Sequence, residues 1–405
     1  MSRNVQRRDF LRFAGATGAL ALLGANRSLA NGEKTKVGPD PREHTSYPNF
    51  KDLVPIRASQ DRVVRETVGL RPFRETGPNL SVETIGKKTV VHNYGHGGSG
   101  WSLSWGTAIE ASEKALATGA DSFAVIGCGA VGMTTAVMLL RAGKKVTIYS
   151  KDRHPNITSS VATGVWSPDS RICLEEHGSE AFAQWWSKTC RASFGMYQTY
   201  LGLPGNPIEW VDTYAVSDKP WDVLKEEQEA NHEGPRFGHF KDYVRDLTPR
   251  SRDLEASEHP FAEPYVKKGS RMIFNISAYT ATLLGEIRAL GGTLVTREFH
   301  EVSELASLSE KTLINATGLG AKTLFKDDKM VSVRGQLTFL IPDPSIQYQF
   351  SNPDAYVIPR RDGLVVGSSD NGRYGSTDTA VDAKQSYDAV EALARSMKGF
   401  HLGNG

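Results

Sequence analysis

The sequence is poor in cysteine: its 405 residues include only Cys128, Cys173 and Cys190. Three cysteines are too few for a disulfide framework, and the odd count leaves at least one of them without a disulfide partner. The sequence has no CxxC pair and no cluster of histidine ligands, so we expect neither a metal site nor a thiol-redox site.

Excess charge of one sign is also missing. The chain carries 48 basic and 46 acidic side chains, which gives a formal net charge of +2. Five arginines and one acid fall within the first 30 residues, so the remainder is nearly neutral. A neutral chain gives no electrostatic argument for binding to a membrane surface or to nucleic acid, and we expect no nucleic-acid partner. The length allows two domains and a large core.

No hydrophobic run is long enough to cross a membrane. Residues 14–25 are too few and too rich in glycine to span a bilayer core of about 30 Å, which argues against a membrane anchor. A basic segment that starts with Arg7 and Arg8 precedes this stretch, and the small residues Ser28 and Ala30 follow it. The pattern predicts a twin-arginine (Tat) signal peptide over residues 1–30, the Tat machinery as a partner, and export to the periplasm or the medium. The polar residues 31–54 predict an N-terminal arm.

The most regular motif is a GxGxxG sequence, Gly127-Cys128-Gly129-Ala130-Val131-Gly132. It follows a buried strand pattern over residues 121–126, and an apolar helix pattern over 133–141 and a second strand pattern over 145–149 come next. In such a unit the glycines allow a tight turn, the approach of a pyrophosphate and close packing of helix on strand. The helix N-terminus adds partial positive charge. We expect a dinucleotide site made by Gly127, Gly129, Ala130, Val131 and Gly132.

Two further segments are candidates for contacts with the dinucleotide. Asp152 and Arg153 follow the second strand, where an acid would bind the ribose hydroxyls of either NAD or FAD. A run of hydroxyl and then small side chains could hold phosphates and let a flat ring approach the backbone. The candidate residues of this run are Thr158, Ser159, Ser160, Ala162, Thr163, Gly164 and Val165.

Several segments together resemble the D-amino acid oxidase family, over most of residues 56–370. The similarity is closest over residues 91–111, which contain His92-Asn93-Tyr94-Gly95-His96-Gly97-Gly98-Ser99-Gly100-Trp101. The other matching segments are residues 69–72, 158–166, 315–318, 334–336 and 356–359. The resemblance implies an α/β fold that binds FAD. It implies a Rossmann-like FAD-binding domain over 86–170 and 268–327, and a mixed β-sheet substrate-binding domain over 55–85, 171–267 and 328–405.

The order of these segments differs from that of the family. In the family, segments resembling residues 121–399 come first and segments resembling residues 56–117 come last. Here the last piece stands at the front, so we expect a circularly permuted chain with its joint at residues 117–122. Permutation costs little where the two chain ends lie close together at the surface.

The resemblance also implies roles for single residues. Arg71 would bind the substrate carboxylate with its planar fork, and the Tyr356 hydroxyl would bind the same group. The carbonyl of Gly98 would bind the substrate amine. Further flavin contacts are expected from Gly97, Gly98, Gly100, Trp101, Ser102, Thr317 and Gly318. We interpret His92 and His96 as structural histidines, because the family needs no general base.

The pocket departs from the family at three places, at one of which Ser99 replaces the larger residue of typical oxidases. Asn352 stands at the position of the lid tyrosine, for which Tyr348 or Phe350 could substitute. Ser369 stands where D-aspartate oxidases have an arginine, and Asp370, which follows, could face a cationic side chain or solvent. The sequence therefore leaves the preferred side chain of the substrate open.

The implied activity is the FAD-dependent oxidation of a D-amino acid to a 2-oxo acid, ammonia and hydrogen peroxide. A hydride would pass from Cα to flavin N5, and oxygen or another acceptor would take up the electrons. Alternatives on the same fold are oxidation of glycine, sarcosine or a cyclic secondary amine, with oxygen or a quinone as acceptor. An NAD-dependent dehydrogenase and a flavin binder without turnover are more remote. The sequence also leaves open whether the protein forms a homodimer.

Overall fold

The computed structural model describes residues 53–369 and 372–401. The predicted signal peptide, most of the predicted arm and Asp370 lie outside these residues. The strands of the described part are β1 Val63–Arg74, β2 Val82–Ile85, β3 Lys88–His92, β4 Ser122–Ile126, β5 Lys145–Ser150, β6 Ile208–Ser217, β7 Arg252–Leu254, β8 Tyr265–Phe274, β9 Thr293–Thr296, β10 Thr312–Asn315, β11 Met330–Leu340, β12 Tyr348–Ser351, β13 Ala355–Arg360, β14 Gly363–Ser368 and β15 Arg373–Tyr374. The α-helices are α1 Gly100–Leu116, α2 Ala130–Arg141, α3 Glu180–Gln198, α4 Trp221–Ala230, α5 Ile276–Ala289, α6 Gly320–Leu324 and α7 Ala383–Lys398.

Nine strands form the larger sheet, in the order β1-β11-β14-β13-β12-β6-β8-β7, with β15 paired to β11. Its pairs are antiparallel except β12 with β6, so the sheet is mixed. Helix α7 begins after Asp382, whose side chain accepts a hydrogen bond from the Gln385 N–H at 3.1 Å. The helix packs on β11, β13 and β14 and covers one face of the sheet. Burial of this apolar face stabilises the layer.

Six strands form the smaller sheet, in the order β2-β3-β10-β4-β5-β9. All of its pairs are parallel except the antiparallel hairpin of β2 and β3. Strand β4, Ser-Phe-Ala-Val-Ile, is buried from its second residue onwards, as expected for a central parallel strand. Helices α1, α2 and α5 pack around one large apolar core that includes Trp105, Phe123 and Tyr279.

The carboxyl ends of four parallel strands lie side by side in this sheet. Backbone hydrogen bonds continue past the strand ends, from Asn93 to Asn315 at 2.8 Å, from Ala316 to Ile126 at 2.9 Å, and from Gly127 to Tyr149 at 2.8 Å. The three glycine-containing loops that leave β3, β4 and β10 are therefore brought to one edge of the sheet, where α/β folds bind their ligands.

The predicted α/β fold class is confirmed, with a β-α-β unit made by β4, α2 and β5. Two strands cross the predicted domain boundaries. β2 was assigned to the substrate domain but pairs with β3 in the smaller sheet. Most of β8 was assigned to the FAD domain but pairs along its whole length with β6 in the larger sheet. The partner of β8 is distant in the sequence and is not revealed by a local pattern, whereas β2 and β3 form a local hairpin across a two-residue turn.

The two ends of the described chain lie against each other. The backbone N–H of Ile56 lies 3.3 Å from the sulfur of Met397, at the end of α7. Leu53 and Phe400 pack against the same apolar cluster as Ile56. A short linker could therefore join these ends, as the predicted circular permutation requires. The permutation itself stays a prediction.

A rearranged chain tests this prediction. The rearranged protein starts at residue 120 and ends at residue 118, and a short flexible linker joins residue 401 to residue 53. We expect it to fold into the same structure. The new link closes a short loop, which costs little entropy, and the new ends fall in an exposed turn. Its thermal midpoint should lie within about 5 °C of that of the mature protein.

The matched control uses the same linker but opens the chain between Gly335 and Gln336, inside β11. That cut interrupts the ladder between β11 and β1, where Gly335 pairs with Gly69, and should prevent folding. An insoluble or molten product from the first rearrangement would show that the predicted joint is wrong.

Candidate active site

Predicted site residues from both sheets line one cavity of about 1170 Å³. Its wall contains Arg71 and Tyr356 from the larger sheet and all three glycine-containing loops of the smaller sheet. The predicted cofactor residues that line it are Gly97, Gly98, Gly100, Trp101, Gly127, Gly129, Ala130, Val131, Asp152, Thr158, Ser159, Ala162, Thr163, Gly164, Val165, Thr317 and Gly318. The structure thus brings most of the predicted residues together.

Four predicted cofactor residues do not line the cavity. Gly132 packs against the backbone of Gly127, where a Cβ would overlap the Gly127 carbonyl. The side chains of the other three are engaged elsewhere. Arg153 donates to Thr296 Oγ1 at 3.0 Å, Ser160 Oγ lies 2.9 Å from His154 Nδ1, and Ser102 Oγ accepts from the Ser167 N–H at 2.8 Å.

The glycine turn after β4 has the geometry of a pyrophosphate site. Gly127 has φ +113°, and a Cβ there would overlap the carbonyl of Ala316, so only glycine fits. Helix α2 begins directly after Gly129, and its N-terminus points its backbone N–H groups and its positive dipole end at the turn. The Cys128 thiol in the turn is buried, which raises its pKa to about 11 and keeps it protonated.

Ser159 makes hydrogen bonds that join its own segment to the starts of α1 and α2. Its Oγ accepts a hydrogen bond from the Ala130 N–H at the start of α2, at 3.0 Å. Its carbonyl accepts one from the indole N–H of Trp101, in the first turn of α1, at 2.8 Å. The predicted pyrophosphate and flavin segments are thus fixed to each other before any ligand arrives.

The side chains of Arg71 and Tyr356 each extend over a glycine of a neighbouring strand. A Cβ on Gly335 would overlap the guanidinium of Arg71, and a Cβ on Gly367 would overlap the hydroxyl of Tyr356. Gly335 lies on β11, next to β1, and Gly367 pairs with Tyr356 between β13 and β14. The missing side chains leave room for both polar groups in the cavity wall.

The guanidinium of Arg71 is left with unused hydrogen-bonding capacity. Its Nη1 is buried and has no hydrogen-bond partner among the described residues. A buried donor without a partner costs about 1–3 kcal/mol, which a ligand that accepts its hydrogen bond can recover.

The backbone at Gly97 and Gly98 is held against the loop before α3. The Gly98 N–H donates to the Ser170 carbonyl at 2.9 Å, and the Ser99 hydroxyl donates to the same oxygen at 3.0 Å. Gly97 has φ +57°, and a Cβ there would overlap the carbonyl of Arg171. This close approach fixes the position of the Gly98 peptide in the cavity wall.

Both predicted structural histidines make hydrogen bonds inside the protein. His92 lies between Glu83 and Asn315, each at 2.9 Å. His96 lines the cavity, and its Nε2 lies 3.1 Å from Thr107 Oγ1. Burial lowers the pKa of His96 to about 3, so this ring is neutral near pH 7 and is a poor proton acceptor.

Neither substitute for the lid tyrosine faces the cavity. Tyr348 and Phe350 point to the apolar cluster beneath α7, where the Tyr348 hydroxyl donates to the Val54 carbonyl at 2.8 Å. Asn352 lines the cavity, and its amide donates to the Ala392 carbonyl at 3.1 Å. On a strand, side chains alternate between faces, so residues 348 and 350 share the face opposite to that of residue 349.

Sequence reasoning missed several polar residues of the cavity wall. They are Arg171, Lys241, Arg271, Arg297, Glu298, His300, Gln336, Gln349, Ser351 and Ser368. Arg271 and Gln349 lie on β8 and β12, and the alternation of these strands could have pointed to them once the strands were known. Among the described residues no group of three or more His, Cys, Asp or Glu side chains is placed to hold a metal ion.

Comparison with known proteins gives two family matches. Residues 122–403 match the DAO family, described as FAD dependent oxidoreductases, and residues 4–24 match the Tat pathway signal sequence. The DAO match begins at the predicted joint. Within the described residues no helix has both the length and the apolar character needed to cross a membrane. The predicted export through the Tat pathway is confirmed by the signal sequence.

Three relatives illustrate the similarity. The D-amino-acid oxidase of Dictyostelium discoideum is 25% identical over 268 residues, which cover 64% of this chain and 69% of that protein. The D-amino-acid oxidase of Rubrobacter xylanophilus is 25% identical over 284 residues, which cover 68% and 78%. The structure of glycine oxidase from Geobacillus kaustophilus is 14% identical with a TM-score of 0.47, over 70% of this chain and 80% of that one.

The low pKa of His96 predicts a pH dependence of stability. The unfolded chain takes up a proton on this residue below about pH 6.5, whereas the folded protein does so only near pH 3. The free energy of unfolding should therefore fall with decreasing pH in this window, by about 1.4 kcal/mol per pH unit from this residue. Urea unfolding at pH 6.5, 5.5 and 4.5 measures the slope.

The variant His96→Gln keeps a polar group for Thr107 but does not titrate, so its slope should be smaller by that amount. His177→Gln, which changes a more exposed histidine, should keep the slope of the wild-type protein. Equal slopes for wild type and His96→Gln would show that His96 does not titrate in this way.

Proposed function

The chain belongs to the DAO family of FAD-dependent oxidoreductases, and we propose that it oxidises D-amino acids to 2-oxo acids with release of ammonia and hydrogen peroxide. The observation that carries this proposal is the pair Arg71 and Tyr356, which face the same cavity as the glycine loops. An arginine with a buried, unsatisfied donor, in the same cavity wall as a tyrosine, is suited to bind a carboxylate. The D-amino-acid oxidases among its relatives support the same substrate class.

The residues present fit FAD. The turn at Gly127 and Gly129 would hold the pyrophosphate at the start of α2, and Asp152 would lie near the adenosine ribose. The segment 162–165 and the loop before α1 would lie along the flavin. When bound, FAD accepts the hydride of the substrate Cα at N5, and oxygen then takes up the electrons.

Arg71 and Tyr356 together would set the orientation of the substrate by binding its carboxylate. The two terminal nitrogens of Arg71 can donate in parallel to both carboxylate oxygens, and the Tyr356 hydroxyl can add a third hydrogen bond. Fixing the carboxylate in this way holds the neighbouring Cα in one place. Positioning of this kind lowers the barrier because its entropy cost is met during binding.

The amine would be bound by backbone. The Gly98 carbonyl is held rigidly by the contact of this peptide with Ser170, and it would accept a hydrogen bond from the amine. No side chain needs to remove a proton from Cα, since the hydrogen leaves with its electron pair. The neutral, hydrogen-bonded His96 agrees with this assignment.

Helix α1 would supply electrostatic stabilisation. It begins at Gly100, directly after the loop that lines the cavity. The positive end of its dipole can stabilise negative charge that develops on a ligand ring near Gly97 and Trp101.

The function is tested by the absorption spectrum of the mature holoenzyme without oxygen. We expect particular D-amino acids, and not their L-enantiomers, to bleach the visible flavin band. Bleaching only by glycine, sarcosine or a cyclic secondary amine would move the assignment to those substrates. A flavin band that no amine bleaches would contradict the proposal.

Arg71→Leu should remove the carboxylate site. We expect the KM for the best D-amino acid to rise by about 100-fold or more, because a charged, bidentate hydrogen bond is lost. Arg57→Leu, which replaces an exposed arginine paired with Asp343, should leave KM unchanged. A KM for Arg71→Leu within a factor of three of the wild-type value would contradict the assignment.

Gly335→Ala should act through Arg71. The new methyl group would overlap the guanidinium, which can swing away because it is the end of a flexible side chain. We expect a rise in KM of about 10-fold or more, with the free energy of unfolding lowered by less than about 2 kcal/mol. Gly285→Ala, at a helical position with open space, is the control that should change neither quantity adversely.

A further inference from the structure

Arg360 is a buried arginine that has no role in the function described above. It is the last residue of β13, two residues after Ile358 and four after Tyr356, so the three side chains share one face of the strand. Its side chain has no exposed surface. Tyr356 and Ile358 line the cavity, whereas Arg360 is not among the lining residues. The guanidinium therefore lies behind the cavity wall.

The part of the wall in front of Arg360 is the segment 162–165. Nη1 of Arg360 donates to the Ala162 carbonyl at 2.7 Å and lies 3.5 Å from the Thr163 carbonyl. All four residues of the segment line the cavity. Arg360 therefore contacts the side of this backbone that faces away from the cavity.

The other end of the segment is held by β8. The Phe274 N–H, at the end of that strand, donates to the Gly164 carbonyl at 2.7 Å. Gly164 has φ +82°, and a Cβ there would overlap the Phe274 carbonyl and lie 3.0 Å from Cδ of Arg360. The chain therefore turns between two fixed carbonyls, one bound by Arg360 and the other by the larger sheet.

These two contacts fix the direction of two backbone donors. In a planar trans peptide the N–H points opposite to the carbonyl of the preceding residue. The N–H groups of Thr163 and Val165 therefore point away from Arg360 and from β8, and neither makes a hydrogen bond within the described part of the chain. Both residues belong to the cavity wall, so these N–H groups can donate to a ligand in the cavity.

The orientation of the Arg360 guanidinium is itself fixed by an ion pair. Its Nε and Nη2 donate to the two carboxylate oxygens of Asp362, at 2.9 and 2.5 Å. The Ser277 hydroxyl donates to the same carboxylate at 3.2 Å. Because the guanidinium is planar and rigid, this pairing leaves Nη1 directed at the segment 162–165.

We propose that Arg360 is a positioning residue of the flavin site. Through the Ala162 carbonyl it sets the orientation of the peptide between residues 162 and 163, and so presents the Thr163 N–H to the polar edge of the flavin. A backbone donor of this kind stabilises reduced flavin more than oxidised flavin, because the reduced ring carries more negative charge. This inference rests on the proposed function, in which the segment 162–165 lies along the flavin.

The test is the two-electron reduction potential of the bound flavin, measured on the mature holoenzyme by equilibration with a reference dye. Arg360→Met keeps an unbranched side chain but removes the donor. It should weaken the binding of reduced FAD relative to oxidised FAD by about 10-fold, which lowers the potential by about 30 mV. Arg361→Met changes the neighbouring arginine, whose exposed side chain pairs with Glu209, and should leave the potential unaltered.

Two variants at Asp362 separate positioning from a purely structural role. Asp362→Asn breaks the same buried ion pair and should lower the free energy of unfolding, but it keeps Nη1 of Arg360 on the Ala162 carbonyl, so its potential should not fall. The double variant Arg360→Met with Asp362→Asn leaves no unpaired buried charge and should fold even where Arg360→Met alone does not. It has the net charge of the wild type, so a potential about 30 mV lower reports the lost hydrogen bond and not a lost charge.

The outcomes are distinct, because these potentials are measured without an amino acid substrate. If no D-amino acid is oxidised but the double variant has the lower potential, the proposed substrate class fails and the role of Arg360 stands. If D-amino acids are oxidised but the double variant has the potential of the wild type, the inference about Arg360 is overturned. A fall in Asp362→Asn equal to that in Arg360→Met also overturns it, since both changes would then act through the ion pair alone.

Discussion

The parallel pairing of β10 between β3 and β4 is the constraint on which the rest of the site depends. Asn315 aligns with His92 on one side and with Ile126 on the other. The three loops that follow must therefore leave the sheet at one level, and the backbone at Ala316, after β10, approaches Gly127 so closely that a side chain is excluded there. A glycine pattern scattered over two hundred residues of sequence thus becomes one continuous surface.

Local patterns predicted this half of the molecule well. The strand before Gly127, the helix after it and the hydroxyl run around Ser159 are contiguous in sequence, and their roles follow from residue type and spacing. The larger sheet was harder to predict, because β1 pairs with β11 and β6 pairs with β8 across long stretches of chain. The domain boundary at β8 depends on those pairings, whereas β2 pairs with its sequence neighbour β3, so the boundary at β2 could have been predicted locally.

The cavity wall combines rigidity with unused hydrogen-bonding capacity. Ser159 and the contact at Gly98 make hydrogen bonds within the protein and fix the backbone. Arg71 and Gln349 instead retain a donor and an acceptor that a ligand can use. Such groups lower the stability of the empty protein, so ligand binding should stabilise the fold as well as position the reacting atoms.

The long-range pairing of β1 has a consequence for the timing of folding. Val63 pairs with Leu340, so the first strand of the described chain has no partner until most of the protein has been synthesised. The larger sheet therefore cannot be completed until β11 has been made. The Tat route carries proteins that are already folded. Export through this route therefore requires that the C-terminal strands have been synthesised and have paired with β1. Chains whose synthesis is incomplete would not be exported.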